Sequence, residues 1–171
     1  ITDALINVRG AQIAFSPGFS WGTSLLSGQA ITREHVMDQT AITYPWTTVT
    51  DMTGETIKTV LEDVCDNLFN PDPYYQQGGD MVRTGGMTYT CNPTGKAGSR
   101  ISDMRFGGQL MDASKTYKVA GWAPVQEASK NAGPPAWEVV ETYLKDKKTI
   151  EPIKLYNPKL LGLEGNPGVV L

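Results

Sequence analysis

Histidine and cysteine are scarce in this sequence: among 171 residues there is one histidine, His35, and two cysteines, Cys65 and Cys91. A hydrolytic site built on two metal ions takes several histidine and carboxylate ligands, more than one histidine supplies. We therefore expect no metal cofactor within these residues, and any metals of a parent enzyme should lie on another segment. The cysteines leave two states open, buried free thiols or a disulfide in an oxidising compartment.

The sequence also lacks a basic excess and a long apolar run. Its formal net charge is −3, so no positive field favours nucleic acid. No apolar stretch approaches the roughly 20 residues that span a bilayer, so we expect no membrane partner. The sequence starts at Ile1 without a methionine or a leader pattern, and we expect a fragment or a processed product.

What is present is ordinary for a globular protein, with 40% hydrophobic and 19% charged residues. The length predicts one domain over 1–171. Apolar periodicity and turn signals predict an α+β fold of six or seven strands with helices packed on a mixed sheet. The predicted strands are 11–15, 40–52, 87–91, 101–106, 109–111, 115–122 and 150–155. Four helices are predicted. The first ends before Gly10, the second starts after Thr32, the third runs from a Thr53 cap to Phe69, and the fourth starts at Pro135.

The stretch Tyr74–Gly86 concentrates four glycines, two tyrosines, a carboxylate and a guanidinium in thirteen residues. Glycines let a backbone approach a ligand or turn where a Cβ would clash. This pattern favours a loop that presents Arg83 and the N–H groups of Gly78 and Gly79 to an anion, beside Asp80. A surface hairpin with an Asp–Arg pair is the alternative. A second aromatic loop, around Trp21, is either a binding lip or a hydrophobic plug.

Several longer strings resemble one family across nearly the whole sequence. They are AFSPGFSWGTSLL, TAITYPWT, TGETIKTVLEDV, NLFNPDPYYQQGGDMVR and TYKVAGWAPV. Together they resemble the C-terminal domain of the 5′-nucleotidase family and, within it, the SoxB group of sulfur-oxidation thiosulfohydrolases. The resemblance implies a 5′-nucleotidase C-terminal-like domain that closes over an N-terminal metallophosphoesterase domain carrying a dinuclear, manganese-type site. It also implies a substrate, a sulfonate linked to a cysteine of the SoxYZ carrier protein, from which sulfate is released in the periplasm.

The resemblance also implies roles for individual residues. Arg83 would bind the anionic sulfonate, and Asp80 would orient Arg83 or its loop. Tyr75, Trp21 and Trp122 would line the channel that admits the carrier arm. Core packing is the alternative for each of these three aromatics. The domain by itself would be inactive.

Departures from the nucleotidase pattern indicate a slimmer ligand than a nucleotide. Met81 stands where a relative places a base-stacking ring, and no Gly-Gly-Asp-Gly-aromatic motif follows Trp122. Ser20 stands near the position of a family arginine, and Arg9 or Arg83 would compensate for the missing charge.

Two other functions stay open at this point. A nucleotidase-like domain would take Tyr74 or Tyr75 as one stacking ring and Trp122 or Trp137 as the other. A non-catalytic module that binds a protein partner is also compatible with the aromatic loops.

Overall fold

Two four-stranded sheets organise the part of the chain that the computed structural model describes, residues 1–18, 22–42, 44–122, 133–150 and 154–163. The α-helices are α1 (Thr2–Arg9), α2 (Arg33–Gln39), α3 (Gly54–Phe69) and α4 (Ala136–Lys147), with a 3₁₀ helix at Pro73–Tyr75. The strands are β1 (Ile13–Ser16), β2 (Thr47–Thr53), β3 (Arg83–Gly85), β4 (Met87–Cys91), β5 (Ile101–Phe106), β6 (Gln109–Leu110), β7 (Thr116–Trp122) and β8 (Lys159–Leu160). This arrangement confirms the predicted α+β class.

The first sheet has the strand order β2-β7-β1-β3. β1 runs parallel to β7, whereas β3 and β2 run antiparallel to their neighbours β1 and β7. Ser16 therefore lies opposite Arg83, and Thr47 lies opposite Trp122. The ends of β1 and β7 and the starts of β2 and β3 meet on one side of the sheet. We call this side, marked by those four residues, the convergent edge.

A single glycine, Gly86, connects the last strand of the first sheet to the second sheet. Gly86 separates β3 from β4 and has a φ of 78°, a region that residues with a Cβ rarely adopt. A Cβ at this position would also meet the carbonyl oxygen of Gln12. β4 then pairs with β5 and β8 in the second sheet, whose order is β6-β5-β4-β8.

The core lies on both faces of the first sheet. On one face, α1 and α4 pack against each other and bury small residues of β1 and β7 such as Ala14 and Ala120. On the other face, α3 inserts Ile57, Leu61 and Cys65 between the two sheets. These positions repeat at helical spacing, and the Thr53 hydroxyl caps the helix by accepting the Thr56 N–H at 3.1 Å. No helix among the described residues has the length and apolarity to cross a bilayer.

Some predicted boundaries were wrong. The strand predicted for 40–52 begins only at Thr47, because the residues before it form a connecting segment that meets Pro135 through an isolated bridge at Trp46. The described part of the predicted strand 150–155 is not extended into a sheet. The last strand is instead β8, which adds two residues in parallel to the open edge of β4. The hairpin of β5 and β6 around Gly107–Gly108 is confirmed.

Candidate functional site

Arg83 stands at the convergent edge as an exposed cation. It begins β3 directly opposite Ser16, where the loops after β1 and before β3 face each other. Its guanidinium forms no ion pair and no side-chain hydrogen bond within the described ranges. Because the side chain is exposed, its N–H donors can reach a planar or tetrahedral oxyanion.

Arg83 lines a cleft of about 230 Å³ beside the outer edge of β3. Lys154 adds a second positive charge, and Asp3 contributes one carboxylate. The volume lies below the roughly 300–1,000 Å³ usual for small-molecule pockets, so the cleft suits a small anionic group. The remaining lining residues are Thr2, Met81, Val82, Thr84, Tyr89, Leu155, Tyr156, Asn157 and Pro158.

Tyr89 is the most buried polar group of that lining. Its hydroxyl is buried and has no hydrogen-bond partner among the described residues. Burial, and then the nearby Cys91 and Cys65, raises the pKa of the Tyr89 phenol well above its ordinary value. The hydroxyl therefore stays protonated at neutral pH and is a donor without an acceptor.

Asp80 forms no ion pair with Arg83 among the described residues, so of its two predicted roles, orienting Arg83 or orienting the loop, only the second has a contact in the structure. The backbone at Asp80 and Met81 lies against Gly18, where a Cβ would meet the Asp80 side chain and the Met81 carbonyl oxygen. The absence of a side chain at Gly18 thus lets the loop after β1 touch the loop before β3. Sequence reasoning assigned no role to Gly18, although the adjacent Pro17 marks a turn.

The tyrosine pair lies on the 3₁₀ helix and faces outward. The Asp72 carboxylate caps this helix by accepting the Tyr74 N–H at 3.0 Å. Tyr74 and Tyr75 are 91% and 61% exposed. Two rings this exposed contribute little to the core and are available to a ligand or a partner.

The two glycines that follow differ in what they can offer. The N–H of Gly78 donates to the carbonyl of Asn67 at 3.1 Å, so it does not serve the predicted anion-binding role in this structure. Gly79 has open space around its Cα. Its backbone can accommodate the close approach of a ligand.

Trp122 lies beneath the convergent edge instead of on it. The side chain is buried with 6% exposure, and its indole N–H donates to the Ser16 hydroxyl at 2.9 Å. Core packing, the alternative interpretation of this residue, is what the structure shows. Trp21 and Ser20 lie outside the described residues.

Arg9 and Arg83 are not brought together. Arg9 ends α1, does not line the Arg83 cleft, and has its guanidinium against Gly133. Its Nε is buried without a hydrogen-bond partner in the described part of the chain. Arg9 therefore stands where the chain enters α4, apart from the exposed cation at β3.

His35 has a local structural role. The Thr32 N–H donates to its Nδ1 at 3.1 Å, and its own N–H donates to the Thr32 hydroxyl, which closes the first turn of α2. No group of three histidine, cysteine, aspartate or glutamate side chains close enough to hold a metal occurs within the described ranges.

Comparisons with known proteins agree with this architecture. The family model for the 5′-nucleotidase C-terminal domain matches residues 1–132. The structure of sulfate thiohydrolase SoxB from Thermus thermophilus, in complex with glycerol, is 34% identical, covers 94% of this chain and 31% of its own, and superposes with a TM-score of 0.81. A 5′-nucleotidase precursor, also from Thermus thermophilus, is 22% identical over 94% of this chain and 34% of its own, with a TM-score of 0.71.

A putative 5′-nucleotidase from Staphylococcus aureus, in complex with alpha-ketoglutarate, shares the fold at 16% identity and a TM-score of 0.71, over 93% of this chain and 35% of its own. No curated protein sequence matches the chain. The chain spans about a third of the length of the solved structures it matches. Since the family model covers well over half of the sequence, the chain belongs to the 5′-nucleotidase C-terminal domain family.

Proposed function

We propose that this domain is the substrate-binding part of a SoxB-like thiosulfohydrolase, which hydrolyses the sulfonate from a cysteine of a SoxYZ-like carrier and releases sulfate in the periplasm. The observation that carries the proposal is the 34% identity to a SoxB structure over 94% of this chain. Similarity of this extent reaches beyond the shared fold, which the nucleotidases match at 16% and 22% identity.

In this proposal the reaction is divided between two domains. As the family resemblance implies, a dinuclear manganese-type site would lie on a metallophosphoesterase domain that precedes this one. Such a site would supply activated water and Lewis acidity. The present domain binds and orients the anion: the guanidinium of Arg83 donates charge-assisted hydrogen bonds to sulfonate oxygens, and Lys154 adds positive charge to the same cleft.

The segment that precedes Arg83 in the sequence offers a surface for a narrow protein arm. Gly79 leaves space for a passing backbone, and the exposed rings of Tyr74 and Tyr75 can cover it. That Tyr75 lines the channel stays a prediction, and so does the same role for Trp21, which lies outside the described residues. Trp122 does not line the channel, but its indole N–H donates to the hydroxyl of Ser16, the residue opposite Arg83.

The test uses the full-length metal-loaded enzyme and a purified carrier bearing a cysteine-linked sulfonate. Sulfate release is followed by ion chromatography, with phosphate release from AMP as the comparison. We expect saturable sulfate release and negligible AMP hydrolysis, whereas residues 1–171 alone release neither product. AMP turnover without sulfate release would reject the proposal.

A nucleotidase-like phosphohydrolase is the second candidate, and the exposure of Tyr74 and Tyr75 favours it, because either ring could stack on a base. The buried position of Trp122 removes one of the proposed partner rings. Saturable quenching of tryptophan fluorescence by AMP would support this candidate.

A non-catalytic binding module is the third candidate. It would be supported if a SoxYZ-like carrier co-purified stably with this domain and the parent enzyme showed no turnover.

A further inference from the structure

Cys65 and Cys91 form a close sulfur pair in the core. Cys65 lies on α3 and Cys91 at the end of β4, and both side chains are buried. Their Sγ atoms are 3.4 Å apart. Closure to a bond of about 2.05 Å therefore requires the two sulfurs to approach by roughly 1.3 Å, a shift within reach of side-chain torsions.

The surroundings of the pair argue against a metal site. No third ligating side chain accompanies the two thiols among the described residues, and the pair is packed against apolar residues such as Leu61, Met87 and Ile101. Two sulfurs in contact, with no third ligand among the described residues, favour a bond between the sulfurs themselves.

The two thiols are not equivalent. The hydrogen bond between them, and then burial, raises the pKa of Cys65 far above its ordinary value. The same hydrogen bond lowers the pKa of Cys91. Cys91 therefore loses its proton first and is the better nucleophile of the pair.

We propose that Cys65 and Cys91 are a redox pair that closes to an intramolecular disulfide by exchange with a disulfide-bonded donor. The Cys91 thiolate attacks one donor sulfur, which forms a mixed disulfide and expels the first donor thiolate. Cys65 then loses its proton and attacks the Cys91 sulfur, which expels the second donor thiolate. The pair loses two protons and two electrons, and the donor disulfide gains them as two thiols. Because both thiols are buried, exchange takes place during folding or through local opening.

A Cys65–Cys91 disulfide would close a loop of the chain that contains residues of the candidate site. The two cysteines are 26 positions apart, and the chain between them carries Tyr74, Tyr75, Gly79 and Arg83. Closing a loop of this size removes entropy from the unfolded chain more than from the folded one. The inference does not depend on which substrate the domain binds.

The test begins with the wild-type full-length protein, refolded with oxidised glutathione or with excess dithiothreitol. Free thiols are alkylated under denaturing conditions, and peptides are analysed by mass spectrometry. We expect a Cys65–Cys91 cross-linked peptide, lighter by two hydrogen atoms than the separate peptides, only in the oxidised sample. We also expect the unfolding transition of this domain to lie about 10 °C higher in the oxidised protein.

Two outcomes would overturn the proposal: both cysteines fully alkylated after oxidative refolding, or a stable glutathione adduct without the cross-link. The Cys65→Ala/Cys91→Ala double variant is the matched control, and its melting temperature should not change between the two conditions. Because the cross-link is sought in the wild-type protein, failure of the variant to fold would leave the test intact.

Discussion

The indole N–H of Trp122 donates a 2.9 Å hydrogen bond to the hydroxyl of Ser16 and thereby joins the ends of β7 and β1. Ser16 lies opposite Arg83 in the strand register. Trp122, predicted either to line the substrate channel or to pack in the core, is thus buried on β7, and β1 lies between it and the strand that carries the exposed arginine. The contribution of this hydrogen bond can be measured as a change in the free energy of unfolding.

Replacing Trp122 with Phe should lower the free energy of unfolding by about 2–3 kcal/mol, because it removes ring volume and leaves the Ser16 hydroxyl without its donor. Ser16→Ala should cost about 1–2 kcal/mol, since the indole N–H is then buried without an acceptor. Urea titrations of the two single variants and the double variant form a cycle with an expected coupling of about 1 kcal/mol. Purely additive losses would show that the bond contributes nothing.

Gly18→Ala should destabilise the protein by about 1–3 kcal/mol, because the new methyl group meets the Asp80 side chain and the Met81 carbonyl oxygen. The same clash separates the loops that flank Arg83, so we also expect weaker substrate binding in the full-length enzyme. Gly79→Ala is the matched control, since nothing lies near its Cα and stability should change by less than about 0.5 kcal/mol. If the two substitutions lowered the free energy of unfolding equally, the close approach at Gly18 would be contradicted.

Glu62 gives a prediction about pH. This buried carboxylate on α3 accepts the N–H of Ile101 at 2.8 Å and of Arg100 at 3.1 Å, and binds the Lys58 ammonium at 3.1 Å. Burial alone would raise the pKa of Glu62, but these donors together bring it below its ordinary value near 4.5. The folded state therefore binds this proton less readily than the unfolded state does. The stabilisation is present above pH 4.5 and is lost as the pH falls through the folded pKa.

Glu62→Gln should accordingly cost about 2 kcal/mol at pH 7, and the difference from the wild type should narrow below about pH 4. Thermal unfolding at a series of pH values measures both effects. Asp63→Asn, on the exposed face of the same helix, serves as the control and should change stability by less than about 0.5 kcal/mol. A loss that is the same at pH 3 and pH 7 would show that the charge of Glu62 is not the cause.

Arg83→Ala in the full-length enzyme should lower kcat/KM about tenfold or more, because a charge-assisted hydrogen bond to the substrate anion is lost. Stability should barely change, since Arg83 is exposed and makes no ion pair within the described ranges. Arg105→Ala removes a half-exposed arginine of the second sheet that pairs with Asp103 at 2.9 Å, and it is the control for the loss of one positive charge away from the Arg83 cleft. Wild-type kinetics in the Arg83 variant would remove this residue from the site.

The long elements could be predicted from sequence because their signals are local. α3 combines a threonine cap with apolar residues at helical spacing, and the β5–β6 hairpin has a glycine pair between its strands. β8 could not be predicted, because two residues hold no periodicity and its existence depends on the open edge of β4. The strand predicted from residue 40 starts only at Thr47, because tertiary pairing with β7, and not the alternating pattern, sets where the strand begins.

The sequence by itself determined the fold class, because residue spacing and turn residues encode the helices and strands. Its longer strings carried the resemblance to the family, and its residue types marked Arg83 within a glycine-rich stretch. Only the tertiary structure decided which residues meet. It buried Trp122 against Ser16, separated Arg9 from Arg83, and set Asp80 against Gly18 where the two loops touch. It also placed Cys65 next to Cys91, which are far apart along the chain. Such pairings depend on strand order and register, which no local pattern of residues specifies.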